Sequence, residues 1–75
     1  MLFFGPARDA VGTRSALIGG DSVAQVVAAA VARYGEPLAE LLPTCRIWLN
    51  GEPAEEHTAV GEGDEVVVLP PVSGG

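Results

Sequence analysis

The sequence predicts one small domain of the α+β class, in which one main helix lies across a mixed sheet. The chain has 75 residues, the size of a single domain. Residues 23–34 have a strong amphipathic helix pattern. Residues 65–69 predict the last strand, and its run 66–69 is apolar on both faces, as expected of a central strand. A single helix laid across the strands is the simplest way to bury that one apolar stripe.

The N-terminal part of the chain predicts two strands separated by a helical turn or loop. Residues 1–4 are a short apolar strand candidate that a Gly-Pro pair ends. Residues 7–12 predict the helical turn or loop, residues 13–18 a second strand, and residues 19–21 a turn.

The main helix has clear signals at both ends. Ser22 is a good N-cap, and Gln25 follows three residues later, as in a capping box. Gly35 fits the position after the helix, and Pro37 prevents its continuation. The apolar residues at helical spacing form one stripe: Val23, Val26, Val27, Ala30, Val31 and Tyr34.

The C-terminal part predicts a hairpin and the last strand. Residues 37–42 suggest a short helical turn, and residues 45–49 a strand. Asn50-Gly51 is a strong hairpin signal, so residues 52–54 should pair with that strand. After a turn over residues 61–64 the last strand follows. The order strand, strand, helix, strand, short strand, strand is that of the β-grasp, or ubiquitin-like, fold.

Composition excludes several functions. The net charge is −6, from ten acidic and four basic residues, which argues against binding nucleic acid or an anionic membrane. It favours partners with basic docking surfaces. No apolar run approaches the ~20 residues that span a bilayer. The apolar start lacks the basic segment of a secretory signal, so the cytoplasm is the expected compartment.

Few side chains suit catalysis or metal binding. Cys45 is the only cysteine and His57 the only histidine, so the chain has neither an internal disulfide nor a Cys/His zinc pattern. We interpret Cys45 as a strand residue and His57 as a solvated residue of an acidic loop. We expect no bound metal, no permanently bound cofactor and no enzyme activity of the isolated chain.

The two ends of the chain carry a family resemblance. The chain ends in Gly-Asp-Glu-Val-Val-Val-Leu-Pro-Pro-Val-Ser-Gly-Gly, which resembles the C-terminus of the MoaD branch of the MoaD/ThiS sulfur-carrier family. Residues 2–12, Leu-Phe-Phe-Gly-Pro-Ala-Arg-Asp-Ala-Val-Gly, are similar to that family's first strand and loop. Ser22-Val23 and Asn50-Gly51 match as well, so the resemblance covers essentially the whole chain.

The resemblance implies a sulfur carrier, the small subunit of molybdopterin synthase. An E1-like adenylating enzyme of the MoeB type would use ATP to adenylate the Gly75 carboxylate. A sulfur donor would convert it to a thiocarboxylate, which gives its sulfur to a pyranopterin precursor in molybdenum cofactor biosynthesis. The catalytic side chains would belong to the large subunit, and the assembly would be a heterotetramer.

The last six residues are of types that suit a carrier end, namely Pro70, Pro71, Val72, Ser73, Gly74 and Gly75. The two glycines lack Cβ and can enter a narrow channel. The two prolines stop the strand and favour an extended path, which reaches roughly 19 Å at ~3.1 Å per residue. We therefore expect residues 1–69 to form the domain and residues 70–75 a flexible tail.

Strand alternation predicts a docking face. Ile47 and its neighbours at spacing two share one face, and Trp48 lies on the opposite, more polar face with Arg46. By resemblance, Phe4, Pro53 and Leu69 fall where the family's small subunit meets its large subunit. We define the open-face patch as Phe4, Trp48, Pro53, Val67 and Leu69. An apolar patch rimmed by acids is typical of an interaction site.

Other functions stay open. The chain could carry sulfur for thiazole (thiamine) or cysteine biosynthesis instead. It could also be a ubiquitin-like modifier that forms isopeptide bonds, although its lack of lysine excludes lysine-linked chains on itself. Finally, it could be a ubiquitin-like binding module without tail chemistry.

Overall fold

The structure, a computed structural model, describes residues 1–70, and its elements follow the predicted order with one exception. The helices are α1 (Pro6–Val11), α2 (Val23–Tyr34) and α3 (Glu36–Leu41), and a 3₁₀ turn (Leu42–Thr44) follows α3. The strands are β1 (Leu2–Phe3), β2 (Arg46–Leu49), β3 (Glu52–Pro53) and β4 (Val66–Leu69).

The strands form one mixed sheet in the order β1-β4-β2-β3. β1 runs parallel to β4, whereas β2 is antiparallel to both β4 and β3. β4 thus lies in the centre, as its two apolar faces predict. Leu2 pairs with Val67, Val67 with Trp48, and Trp48 with Pro53, so one row of residues crosses all four strands.

Helix α2 begins and ends where the sequence predicts. Ser22 is extended, and its Oγ accepts the N–H of Gln25 at 3.2 Å. The side chain of Gln25 accepts the N–H of Asp21 at 2.7 Å, one residue before the N–H that a capping box uses. The helix ends at Tyr34, and Gly35 follows with a φ of 80°. These bonds satisfy backbone donors that the helix itself leaves unpaired.

The core lies between α2 and one face of the sheet. Its fully buried side chains include Met1, Phe3, Ala7, Val26, Ala30, Leu38, Val66 and Val68. From β2 and the residue before it, Cys45, Ile47 and Leu49 pack against this cluster, as the alternation predicts. Phe3 meets Tyr34 edge to face, with ring centroids 5.7 Å apart. The helix stripe therefore covers one side of the sheet.

The second strand predicted for residues 13–18 is the exception. Only Ser15 forms a bridge, antiparallel to Leu2, and Phe3 donates its N–H to the carbonyl of Arg14 at 2.9 Å. The pairing stays short because β1 is only 2 residues long. Leu17 points into solvent with 95% of its surface exposed.

Asn50 of the Asn50-Gly51 hairpin also stabilises the turn before β4 through hydrogen bonds of its side chain. Both residues have positive φ, 52° and 86°. The Asn50 side chain donates to Asp64 Oδ1 at 2.9 Å and accepts the N–H of Glu65 at 2.8 Å. The other oxygen of Asp64 accepts the N–H of Gly61 at 2.8 Å. The hydrogen bond from the Gly61 backbone lowers the pKa of Asp64 below its ordinary value, and the hydrogen bond from the Asn50 side chain lowers it further.

We expect the domain to lose stability in acid through Asp64. Its folded-state pKa lies below the ordinary value of 3.8, so its contribution is fully present above that value and is lost as the pH falls through the folded pKa. Asp64→Asn should lower the urea midpoint at neutral pH and flatten its decline between about pH 5 and pH 2. Asp9→Asn, at an exposed carboxylate on α1, is the control. An unchanged profile for Asp64→Asn would contradict the assignment.

Candidate functional site

The face of the sheet opposite α2 carries half-buried and exposed apolar side chains. Val67 and Leu69 alternate along β4 with the buried core valines and remain half-buried. Trp48 is half-buried, Pro53 is exposed, and Phe4 is 45% exposed. The structure therefore brings all five residues of the open-face patch onto this face.

Leu2 is a patch residue that sequence reasoning missed. It is half-buried and pairs with Val67, so it begins the row that continues through Trp48 to Pro53. The alternation of residues 1–4 contained the signal, because it places Leu2 on the same face as Phe4. The face is thus apolar across the full width of the sheet.

The rim of the patch includes cationic side chains. Arg46 is exposed and pairs with Leu69, so it stands on the patch face itself. Arg8 and Arg14 line a concavity together with Phe4. Cationic side chains therefore lie on two sides of the end of β4.

The chain leaves the sheet in contact with Gly5. The backbone of Gly5 has φ 57° and ψ −134°, which side chains other than hydrogen rarely permit. A Cβ added there would lie 3.3 Å from both the Cβ and the Cγ of Pro70. Gly5 thus lets Pro70 approach the loop after β1, and this contact sets the direction of the chain at Pro70. The other predicted tail residues lie outside the described residues: Pro71, Val72, Ser73, Gly74 and Gly75.

Cys45 packs against the core cluster, and His57 is exposed in a turn. Partial burial raises the pKa of the Cys45 thiol, against a smaller lowering by a hydrogen bond with Thr44. A raised pKa leaves little thiolate at neutral pH, which makes the thiol a poor nucleophile. His57 Nε2 lies 2.9 Å from Glu55 Oε2, and both side chains are largely exposed.

Residues 1–70 offer neither a metal-binding group nor a membrane span. In this part of the chain, no three His, Cys, Asp or Glu side chains come together as a group that could hold a metal ion. Its helices are also too short or too polar to cross a membrane.

One main helix, α2, packed on a four-stranded mixed sheet defines a ubiquitin-like β-grasp protein. The family model of the ThiS family matches residues 1–75. The chain therefore belongs to the ThiS family and is a small carrier protein of the ThiS/MoaD type. This confirms the resemblance found in the sequence.

Solved structures confirm the fold. A chain in the complex of subunits 1 and 2 of molybdopterin-converting factor from Helicobacter pylori 26695 is 31% identical, with a TM-score of 0.69 over 97% of this chain and 92% of that one. The HVO 2177 protein of Haloferax volcanii is also 31% identical, with a TM-score of 0.77 over 99% and 82%. SAMP1 of the same archaeon is 25% identical, with a TM-score of 0.78 over 99% and 94%.

We expect Gly5→Ala to destabilise the domain by about 1–3 kcal/mol, because it combines backbone strain with a clash against Pro70. Gly12→Ala is the matched control, since Gly12 has a φ of 79° but nothing within 4 Å of an added Cβ. Urea unfolding measures the stability. Amide chemical shifts of residues 67–69 should move in the Gly5 variant and stay unchanged in the Gly12 variant. Equal shifts in both variants would show that the contact with Pro70 does not position the chain end.

Proposed function

We propose that this chain is the sulfur-carrying small subunit of a molybdopterin synthase, with the Gly75 carboxylate as the site of attachment. The observation that supports this most strongly is the terminal Pro-Pro-Val-Ser-Gly-Gly, placed directly behind the central strand of a ThiS-family fold. The 31% identity to a chain of the molybdopterin-converting factor complex supports the choice of pathway. Residues 1–69 would form the domain and residues 70–75 a flexible tail.

The proposed chemistry makes a weak electrophile reactive. A carboxylate resists nucleophiles, but an E1-like adenylating enzyme of the MoeB type can join it to the AMP part of ATP and release pyrophosphate. A sulfide equivalent from the sulfur donor then attacks the acyl carbon and displaces AMP. The product is a Gly75 thiocarboxylate, whose sulfur attacks the pyranopterin precursor. Water then cleaves the bond between that sulfur and the acyl carbon, which leaves the sulfur on the precursor and restores the Gly75 carboxylate.

In this proposal the chain's own residues bind and position rather than catalyse. ATP binds to the adenylating enzyme, and the acid-base groups for sulfur transfer belong to the large subunit. The open-face patch docks on the large subunit, because covering a half-buried apolar face removes apolar surface from water, which is favourable. The contact between Gly5 and Pro70 directs the tail toward the partner, and the two glycines pass through its channel.

The test is intact mass after incubation with the adenylating enzyme, ATP and a sulfur donor. We expect the wild-type chain to exchange one oxygen for sulfur, and the chain without Gly75 to stay unchanged. Cys45→Ala should gain sulfur like the wild type, because the proposal gives the Cys45 thiol no role. When the large subunit and the pyranopterin precursor are added, only the chain that carries the Gly75 thiocarboxylate should yield the dithiolene product.

Each other outcome contradicts part of the proposal. Sulfur delivery without Gly75 would rule out the tail as the carrier. High-mass conjugates would indicate a protein modifier, and an unchanged mass would indicate a binding module. If the chain gains sulfur but delivers it only to a thiazole or cysteine precursor, the chain belongs to one of those pathways.

A further inference from the structure

Arginines from three separate parts of the chain surround the end of β4. Arg46 of β2 pairs with Leu69, the last residue of that strand. On the β1 side, Arg8 and Arg14 line one concavity together with Phe4. Because β4 lies between β1 and β2, cations flank the end of β4 on both sides. We name Arg8, Arg14 and Arg46 the basic collar.

In the part of the chain that the structure describes, no carboxylate forms an ion pair with the basic collar. Within residues 1–70, the ion pairs join other groups, namely the amino nitrogen of Met1 with Glu65 and His57 with Glu55. Asp9 lines a neighbouring concavity with Arg8 and Arg14, but no ion pair joins it to either within the described chain. The acids nearest to β4 in sequence, Glu62, Asp64 and Glu65, precede the strand at its opposite end.

Arg33 has partners within the domain and serves as a comparison for the basic collar. Its guanidinium donates to the carbonyl of Leu17 at 3.2 Å and lies 5.5 Å from the centroid of the Tyr34 ring. It belongs to α2, on the other side of the sheet from the open-face patch. Arg33 therefore has the same charge as Arg46 but no part in that face.

Docking through the open-face patch would bring Arg46 out of water, because its strand partner Leu69 is a patch residue. A guanidinium that loses its water and finds no anion costs several kcal/mol. The covering surface must therefore supply an acceptor at this position. The apolar row of Leu2, Val67, Trp48 and Pro53 beside it requires apolar side chains on the same surface, which a protein provides and a phosphate backbone does not.

We propose that the basic collar docks onto carboxylates that surround the tail-receiving channel of the large subunit, with Arg46 making the central contact. The inference rests on the proposed function, because it takes the open-face patch as the docking surface. It reverses the expectation from the net charge of −6, which favours a basic partner surface. The acidic bulk of the domain lies elsewhere, and the docking site is locally cationic.

The experiment measures affinity by calorimetry for the large subunit from the same organism, using the full chain. Arg46→Glu should weaken binding by about 100-fold, and Arg46→Leu by about 10-fold, because the large subunit's carboxylate loses its cation. Arg33→Glu changes the net charge equally and should bind within about twofold of the wild type. Replacing the facing partner carboxylate by arginine should restore binding to Arg46→Glu.

Salt dependence gives a second readout. The wild-type affinity should fall as salt rises from about 50 to 300 mM, and Arg46→Leu should show a flatter dependence. Should Arg46→Glu fail to fold, Arg14→Glu tests the same collar from the β1 edge and should weaken binding relative to Arg33→Glu.

The inference is wrong if the Arg46 variants bind like Arg33→Glu, or if Arg46→Leu binds more tightly than the wild type. The latter would mean that the facing surface is apolar. Failure of the proposed function is separate and visible in the wild type itself, which would then neither gain sulfur nor bind the large subunit. In that case the inference is wrong together with the proposed function.

Discussion

The two unlike faces of β4 are the constraint on which the rest of the molecule depends. Val66 and Val68 face α2 and are 2% and 0% exposed, whereas Val67 and Leu69 stay half-buried on the other face. β4 also holds the sheet together, because it pairs with β1 on one side and with β2 on the other. The chain continues from this strand into Pro70, so Pro70 directly follows the best-supported strand of the sheet.

The elements predicted correctly are those with local signals. The N-cap of α2 depends on Ser22 and Gln25, and the hairpin turn on Asn50 and Gly51, so a few neighbouring residues suffice. The predicted second strand depended on a partner elsewhere in the chain. Its alternation was present, because Ala16 and Ile18 pack against the core while residue 17 is exposed, but its pairing with β1 extends only a residue or so on either side of the Ser15 bridge.

The open-face patch could be predicted in outline, because alternation separates Trp48 from the core residues on either side of it. The basic collar could not. Its residues lie at positions 8, 14 and 46, and only the parallel pairing of β1 with β4 brings the first two to the same end of the sheet as the third. A net charge of −6 averages over the chain and gives no information on where its few cations lie.

The distribution of apolar and charged residues on the patch face is consistent with docking rather than with stability alone. A domain of this size buries only about 60% of its unfolded surface, so its margin of stability is small. The uncovered face of an antiparallel sheet is commonly polar, yet the row from Leu2 to Pro53 is apolar. A purely apolar face would accept many partners in several registers. A single guanidinium inside it removes that freedom, because only a surface with an acceptor opposite Arg46 can cover the face without leaving a buried charge unpaired.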